Sequence, residues 1–451
     1  MVKLAGTLSH FQPIQAIVIG DFMLDKYTTG RVKRISPEAP VPVMEVEKQE
    51  SRPGGAGNVV LNLTALGAKV FALGRIGFDF EGEQLKSSLS HEGVVIQGLL
   101  SQKEYQTPVK NRLIADSQQL LRVDFETISP IHPAFEENVI WQLKELLPQA
   151  KVVAISDYGK GFLTESLIAE TIRWAKKYHV PVIVDPKGID FAKYKGATIL
   201  KPNQSEAYAA ARLGPHAELD AVAQKILEIA DVDHLLITRS EAGISLFDRS
   251  RTRQDFPVRS REVKDVTGAG DTVLAILSAA MANGLDIRFA AQLANIAAGI
   301  AIERLGCAQI TISDLARRLL EYDTDTKIFD DSHTYALRQV LKDKSYSLLV
   351  LPQGQKMSNA LFRSIRSLAQ NEGEEMIVYV QGCHPDDEFI HFLSSLPEVD
   401  TIVLQSESLK VLCESIQPRE IYFLEGEELR GYDTAQAMLA ALKQGVIRVD
   451  F

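Results

Sequence analysis

Short apolar runs, each stopped by polar residues, constrain the fold of this chain more than anything else in it. Residues 16–20 run into Asp21, 152–156 into Asp157, 182–184 into Asp185, 198–200 into Lys201-Pro202-Asn203, and 234–237 into Thr238-Arg239. Runs this short and this apolar read as strands buried on both faces, the mark of a parallel sheet. Helical periodicity between them, as over 167–177, supplies the crossovers. The expected fold class is therefore α/β, with a doubly wound sheet. Ligands bind such sheets at the carboxyl ends of the strands, so the polar endings predict one shared site.

A second constraint is Asp265-Val266-Thr267-Gly268-Ala269-Gly270-Asp271-Thr272, followed by the apolar run 273–281. It reads as a short polar strand end, a turn and a helix start. Gly268 and Gly270 let backbone amides approach a ligand, and a helix N-terminus adds positive dipole there. Gly268, Ala269 and Gly270 thus form a candidate anion hole, with Asp271 at its edge. A carboxylate so placed can take a proton from a hydroxyl that attacks a phosphate. The plainer reading is an Asp cap on a structural turn. A second glycine loop, Pro53-Gly54-Gly55-Ala56-Gly57-Asn58, opens another apolar helix over 59–66.

Two stretches break the parallel pattern. Residues 31–52 are rich in proline and alternate, and 107–125 alternate again. Together they predict a small separate antiparallel sheet, a lid over roughly 31–52 and 105–126. Apolar residues on its second face would suit a homodimer through the lid.

Composition excludes some partners. The net charge of −10 argues against nucleic acid or an anionic membrane surface. No apolar run approaches the roughly 18 residues of a spanning helix. The 3 cysteines, Cys307, Cys383 and Cys413, cannot all pair and lack metal-like spacing, which fits a reducing cytoplasm.

The loops 54–58 and 265–272, about 210 residues apart, resemble the two signatures of the ribokinase (PfkB) family of sugar kinases. A narrower likeness lies in residues 20–27, 34–43, 118–126, 156–161, 185–188 and 201–206. These resemble the kinase domain of the bifunctional heptose enzymes of lipopolysaccharide biosynthesis. The resemblance covers essentially residues 10–320. It implies a ribokinase-like fold over 1–321 and ATP-dependent phosphorylation, with magnesium, of D-glycero-D-manno-heptose 7-phosphate at O1. Another sugar, or a regulatory protein that catalyses nothing, are the competing readings. Asp271 would be the base, and the Gly268–Gly270 amides would stabilise the transferring phosphoryl group. Lys187 and Arg112 would meet the sugar phosphate, and Asp25, Gly54, Gly55, Asn58 and Asp157 the sugar. Asn203-Gln204-Ser205-Glu206 resembles the family's N-x-x-E element, with Glu206 organising magnesium. Thr238, Arg239, Gly243 and Asn295 would border the nucleotide. The family commonly has Gly where this chain has Ser240, and Lys where it has Ala242.

A polar stretch at 322–334 reads as a linker, and 335–451 as a second, smaller Rossmann-type α/β domain resembling a nucleotidyltransferase. That fold needs His-x-Gly-His after its first strand. Here residues 351–359 contain no histidine, which implies a retained fold without the transferase chemistry. His384 and Asp387 resemble a deacetylase zinc motif. No histidine follows His391 to complete such a site, and a helix cap is the plainer account.

Overall fold

The computed structural model describes residues 8, 11–116, 118–258, 263–323, 327–329, 334–341, 345–352, 354–369, 375–382, 387–404, 409–425 and 428–432. The fold divides into two compact units: Phe11–Thr311 form the larger, and Ile312–Phe451 group with Met1–His10 in the smaller.

The larger unit begins with β1 (Gln15–Gly20), β2 (Phe22–Ile35) and β3 (Pro42–Gly55). Then come α1 (Ala56–Ala65), β4 (Lys69–Gly77), α2 (Phe80–His91), β5 (Val95–Gln102), β6 (Val109–Ala115), β7 (Gln118–Phe125) and α3 (Pro133–Leu146). The alternation continues with β8 (Val152–Ser156), α4 (Glu165–Lys177), β9 (Val182–Asp185), β10 (Ile199–Leu200), α5 (Gln204–Ala211), α6 (Leu219–Ala230) and β11 (His234–Thr238). A hairpin, β12 (Ile244–Asp248) and β13 (Arg253–Phe256), precedes α7 (Ala269–Ala282) and α8 (Ile287–Ile302).

Among the described residues, 9 strands form the main sheet, in the order β13-β12-β11-β10-β9-β8-β1-β4-β5. From β11 to β5 the pairs are parallel, so the polar endings after β1, β8, β9, β10 and β11 share one edge. Alternating side chains feed two cores. Ile17, Ile19, Val153, Ile155, Val182 and Val184 pack with residues of α3, α4 and α6. On the other face α1 lies on β1 and β4, while α7 lies on β8 and β9.

The lid rises from that same edge, in the order β3-β2-β6-β7. It is larger than its sequence pattern predicts. β2 leaves β1 after Asp21 alone, and β3 runs on into Gly55. It is also mixed rather than antiparallel, because β2 and β6 pair parallel from Leu24↔Val109 to Gly30↔Ala115. The expected strand end before the Gly268 turn does not form. Residues 263–266 are loop, tied down by Lys264 and Asp265 N–H groups donating to Ile302 O.

The smaller unit holds α9 (Ile312–Asp323), β14 (Ile328–Phe329), α10 (Thr334–Leu341), β15 (Tyr346–Leu351), α11 (Asn359–Leu368), β16 (Glu375–Val380) and α12 (Asp387–Ser395). It ends in β17 (Thr401–Leu404), α13 (Leu409–Ile416), β18 (Glu420–Glu425) and β19 (Glu428–Tyr432). Its sheet order is β14-β17-β16-β15-β18-β19, parallel except at β19. β14 lies inside the stretch that reads as a linker and pairs with β17.

Candidate active site

Two helix N-termini meet at the sheet edge. Gly268 caps α7 in the left-handed region, with φ 78°. Gly55 does the same for α1, with φ 57°. A Cβ on Gly268 would crowd the Asn58 amide, and one on Gly55 would crowd Asp21 O. Only glycine lets these two loops close on each other. Asp271, in the first turn of α7, is buried between them. Its Oδ2 accepts from Asn58 Nδ2 at 3.1 Å, and its Oδ1 accepts from the Tyr158 hydroxyl at 2.8 Å. Burial pushes the Asp271 carboxyl up to about 7, against those two hydrogen bonds, which favour the anion. First-turn amides of a helix have no intrahelical acceptor. Here Ala269 N–H donates to Val266 O at 3.3 Å, which takes it out of the expected anion hole.

The neighbouring strand ends are also acidic. Asp21 Oδ2 accepts from the N–H groups of Tyr158 and Lys160 at 2.9 and 3.1 Å, which pins the loop after β8. Burial, then the charge of Asp157, raises the Asp21 carboxyl to about 6. Asp157, expected at sugar hydroxyls, is already engaged. It takes Gly159 N–H and Lys193 Nζ at 2.7 Å each, and the Tyr194 hydroxyl at 2.6 Å. Asp185 is paired with buried Lys201 at 2.9 Å. Burial raises Asp185 to about 6, and Lys201 opposes the rise. This pair lies beneath the turn: a Cβ on Gly270 would sit 3.6 Å from Lys201 Nζ and 3.8 Å from Asp185 Oδ2. Tyr158, Asp185 and Lys201 are given no individual role by the sequence. Their only sequence signal is their place at strand ends.

A cleft of about 640 Å³ opens beside the turn. One end is polar, with Asp185, Lys187, Lys201, Asn203 and Glu206; the other is apolar, with Ile244, Val258, Val266, Ala298 and Ile302. Asn203 caps α5, and its side chain and that of Glu206 form a capping box. The N-x-x-E element thus has a structural role of its own. Gln204 and Ser205 do not line this cleft; with Tyr208 and Pro215 they line an adjoining hollow that shares Asn203, Thr238 and Ser240 with it. Lys187 Nζ meets Glu206 Oε1 at 2.7 Å, on the cleft side rather than the lid side. Thr238, Gly243 and Asn295 line the cleft, whereas Arg239 turns to Asp255 at 3.4 Å and to Ala242 O at 3.2 Å. Ser240 has φ 49°, a conformation that explains why glycine is the common choice there.

On the lid side, Arg112 of β6 forms an ion pair with Asp25 of β2, and both are buried. The Tyr27 ring lies 5.4 Å from that guanidinium. Gly54 is needed because a Cβ there would overlap Asp25 Oδ2. Cys307 Sγ lies 3.5 Å from Asp25 Oδ2. So Asp25, Gly54, Gly55, Asn58 and Arg112 do assemble, and Asn58 links them to Asp271.

In the smaller unit, β15 runs into Pro352, and Ser358 caps α11 by accepting from Leu361 N–H at 3.1 Å. His384, part of the stretch that resembles a zinc motif, lies outside the described residues, as does the side chain of Asp387. Among the described residues there is no cluster of three His, Cys, Asp or Glu side chains suited to a metal, and no helix long and apolar enough to cross a membrane.

Residues 14–314 match the model of the pfkB family carbohydrate kinases. The chain is 38% identical over 442 residues to the bifunctional protein HldE of Geobacter metallireducens, an alignment covering 91% of this chain and 87% of that one. It is 37% identical over 435 residues to the bifunctional protein HldE of Geotalea uraniireducens, covering 92% and 89%. With its Geobacter sulfurreducens namesake the match is 44% over 313 residues, 69% of this chain and 64% of the other. Among solved structures, Arabidopsis thaliana ribokinase complexed with ribose and ATP superposes with a TM-score of 0.55 at 18% identity, over 68% of this chain and 99% of that one. Escherichia coli phosphofructokinase-2 in complex with fructose-6-phosphate gives 0.56 at 19%, over 69% and 99%. At such identities the likeness is one of fold: a ribokinase-like sheet with a β lid.

Proposed function

This chain belongs to the pfkB family of carbohydrate kinases, and we propose that it transfers the terminal phosphoryl group of ATP to O1 of D-glycero-D-manno-heptose 7-phosphate. The observation that carries the reading is Asp271, a buried carboxyl near neutrality, set in the first turn of α7 between the lid side and the cleft. The nucleotide would lie in the cleft, its base at the apolar end and its phosphates at Lys187, Lys201 and the α7 N-terminus. The sugar would lie against Asp25, Gly54, Gly55 and Asn58. Asp271 then takes the proton of the attacking hydroxyl, the hydroxyl oxygen bonds to the terminal phosphorus, and ADP leaves. Amides of Gly270 and Asp271 face the charge that spreads over the transferring group.

Magnesium fits the hard oxygen donors at the polar end, Glu206 and Asp185. When bound there it would neutralise phosphate charge, and the scarcity of protein carboxylates agrees with an ion held mostly by phosphates and water. The smaller unit is proposed to lack adenylyl transfer, because residues 351–359 contain no histidine. Exposed Ile35, Val41, Leu121 and Phe125 on the lid suit a second copy of the chain. A cytoplasmic location is proposed with these substrates.

The test is ADP release with a panel of heptose 7-phosphate, fructose 6-phosphate and ribose, for the wild-type chain and Asp271→Ala. Turnover of the heptose phosphate that the substitution abolishes supports the reading. Preference for another sugar replaces the substrate, and undiminished turnover in the variant removes Asp271 from the mechanism. Formation of a nucleotide sugar from heptose 1-phosphate and ATP would restore chemistry to the smaller unit. Light scattering that returns a monomer mass would exclude the lid dimer.

A further inference from the structure

The acceptor proposed above already carries a phosphate, and the two cations that sequence pointed to are both spoken for. Arg112 is paired with Asp25, and Lys187 with Glu206. The register of the lid supplies another. Lys110 pairs with Asp25 across β2 and β6, and with Asp124 across β6 and β7. Registered residues project to one face of a sheet. Lys110, Asp25, Tyr27 and Arg112 therefore share the face that carries the sugar side of the site. Arg122 on the same face is engaged by Asp124 at 2.9 Å. Lys160, the next cation, is held by Glu126 at 2.6 Å. Lys110 has neither an ion pair nor a hydrogen bond among the described residues.

The Lys110 side chain is nonetheless fixed. Its Nζ lies 5.0 Å from the centroid of the Tyr158 ring. The hydroxyl of that ring donates to Asp271, and the ring edge closes on Gly55. Tyr158 is itself anchored by its N–H to Asp21. One rigid ring thus separates an unpaired ammonium from the catalytic carboxylate. An acceptor seated on Tyr158, with its reacting hydroxyl at Asp271, extends its far end toward Lys110. Half-burial costs the ammonium solvation, the nearby charges of Asp25 and Asp124 offset that cost only in part, and an incoming phosphate dianion would supply the close partner it lacks.

Resting on the heptose phosphate reading, we infer that Lys110 is the residue that recognises the phosphate already on the acceptor and so makes the kinase selective for a phosphorylated sugar. It is a binding residue, distinct from the phosphoryl-transfer machinery.

The test measures kcat/KM for heptose 7-phosphate and for the same heptose without phosphate, using the full chain, Lys110→Met and Lys110→Arg. In the wild type the phosphorylated sugar is preferred. Lys110→Met lowers that preference by about tenfold or more, through KM for the phosphorylated sugar, and Lys110→Arg restores most of it. A preference within about twofold of wild type in Lys110→Met overturns the inference, as does an equal fall on both sugars, which would mark a structural role. A wild type with no preference for the phosphorylated sugar overturns the inference and the acceptor reading together. The two failures are thereby told apart.

Discussion

Removing the Tyr158 hydroxyl by Tyr158→Phe tests the electrostatics of the base. Asp271 is buried, and its carboxyl stands at about 7 because burial outweighs two hydrogen bonds, from Asn58 and Tyr158. Both bonds favour the anion, so losing one must raise the value further. A hydrogen bond to a charged group contributes about 1.5–3 kcal/mol, and one pH unit corresponds to about 1.4 kcal/mol. The acid limb of kcat/KM should therefore move up by about one to two units, from near 7 toward about 8–9. At pH 7 the ionised fraction falls from about one half to about one tenth or less, so kcat/KM drops about fivefold or more and recovers in alkali. The assay is ADP release from pH 5.5 to 10 at saturating magnesium. The phenylalanine ring keeps the contacts to Gly55 and Lys110, which isolates the hydroxyl. An unshifted limb, or a loss of rate independent of pH, would refute the assignment of Asp271 as the titrating base.

Three further outcomes follow from the same geometry. Asp271→Asn should lower kcat by about 10²–10⁴-fold while raising the melting temperature more at pH 8 than at pH 5. The folded carboxyl titrates at about 7 against 3.8 for the ordinary group, so the native state holds the extra proton and stability falls as pH rises across that window. Calorimetry showing no pH-dependent gain would contradict this. Lys201→Met leaves the Asp185 carboxylate buried and unpaired, and should cost about 3–5 kcal/mol in urea unfolding. The double variant Lys201→Met/Asp185→Asn should recover most of that loss. Gly54→Ala drives a methyl into Asp25 and should raise KM for the sugar while sparing KM for ATP; equal effects on both would place Gly54 elsewhere in the site.

What could be read from sequence was local. Strand ends and two glycine loops are each set by a few neighbours, and they reappear in the fold. The misread features depend on partners distant in sequence. The parallel pairing of β2 with β6 joins residues about 85 apart, so alternation alone read as antiparallel. The short strand Ile328–Phe329 is defined by β17, not by its own polar surroundings. Within Asn203-Gln204-Ser205-Glu206 the difference is local instead: a step of about 100° per residue sets Gln204 and Ser205 toward the adjoining hollow. The carboxylate partners of Lys187 and Arg112, Glu206 and Asp25, are likewise invisible in the sequence around each cation.

The site also explains why one aspartate among four at the sheet edge is suited to act as base. Asp21 is held by two backbone N–H groups, Asp157 by an ammonium, an amide and a phenol, and Asp185 by the Lys201 ammonium. Each of these sets serves to fix a loop or a strand end, and two of them include a cation. Asp271, like Asp21, receives hydrogen bonds only from neutral donors, here an Asn amide and a Tyr hydroxyl, and its carboxyl is raised further than that of Asp21 or Asp185. Neutral donors orient the carboxylate without stabilising the anion as a cation would. Lys201 is close enough to lower Asp271, yet it forms its ion pair with Asp185, whose own charge opposes it. The ammonium thus serves the floor of the turn, and the carboxyl above it keeps a proton affinity near neutrality. Replacing Asp185 with Asn would free Lys201 to act on Asp271 and should lower the acid limb of kcat/KM, the opposite of Tyr158→Phe. Limbs that move the same way in the two variants would break this division of roles.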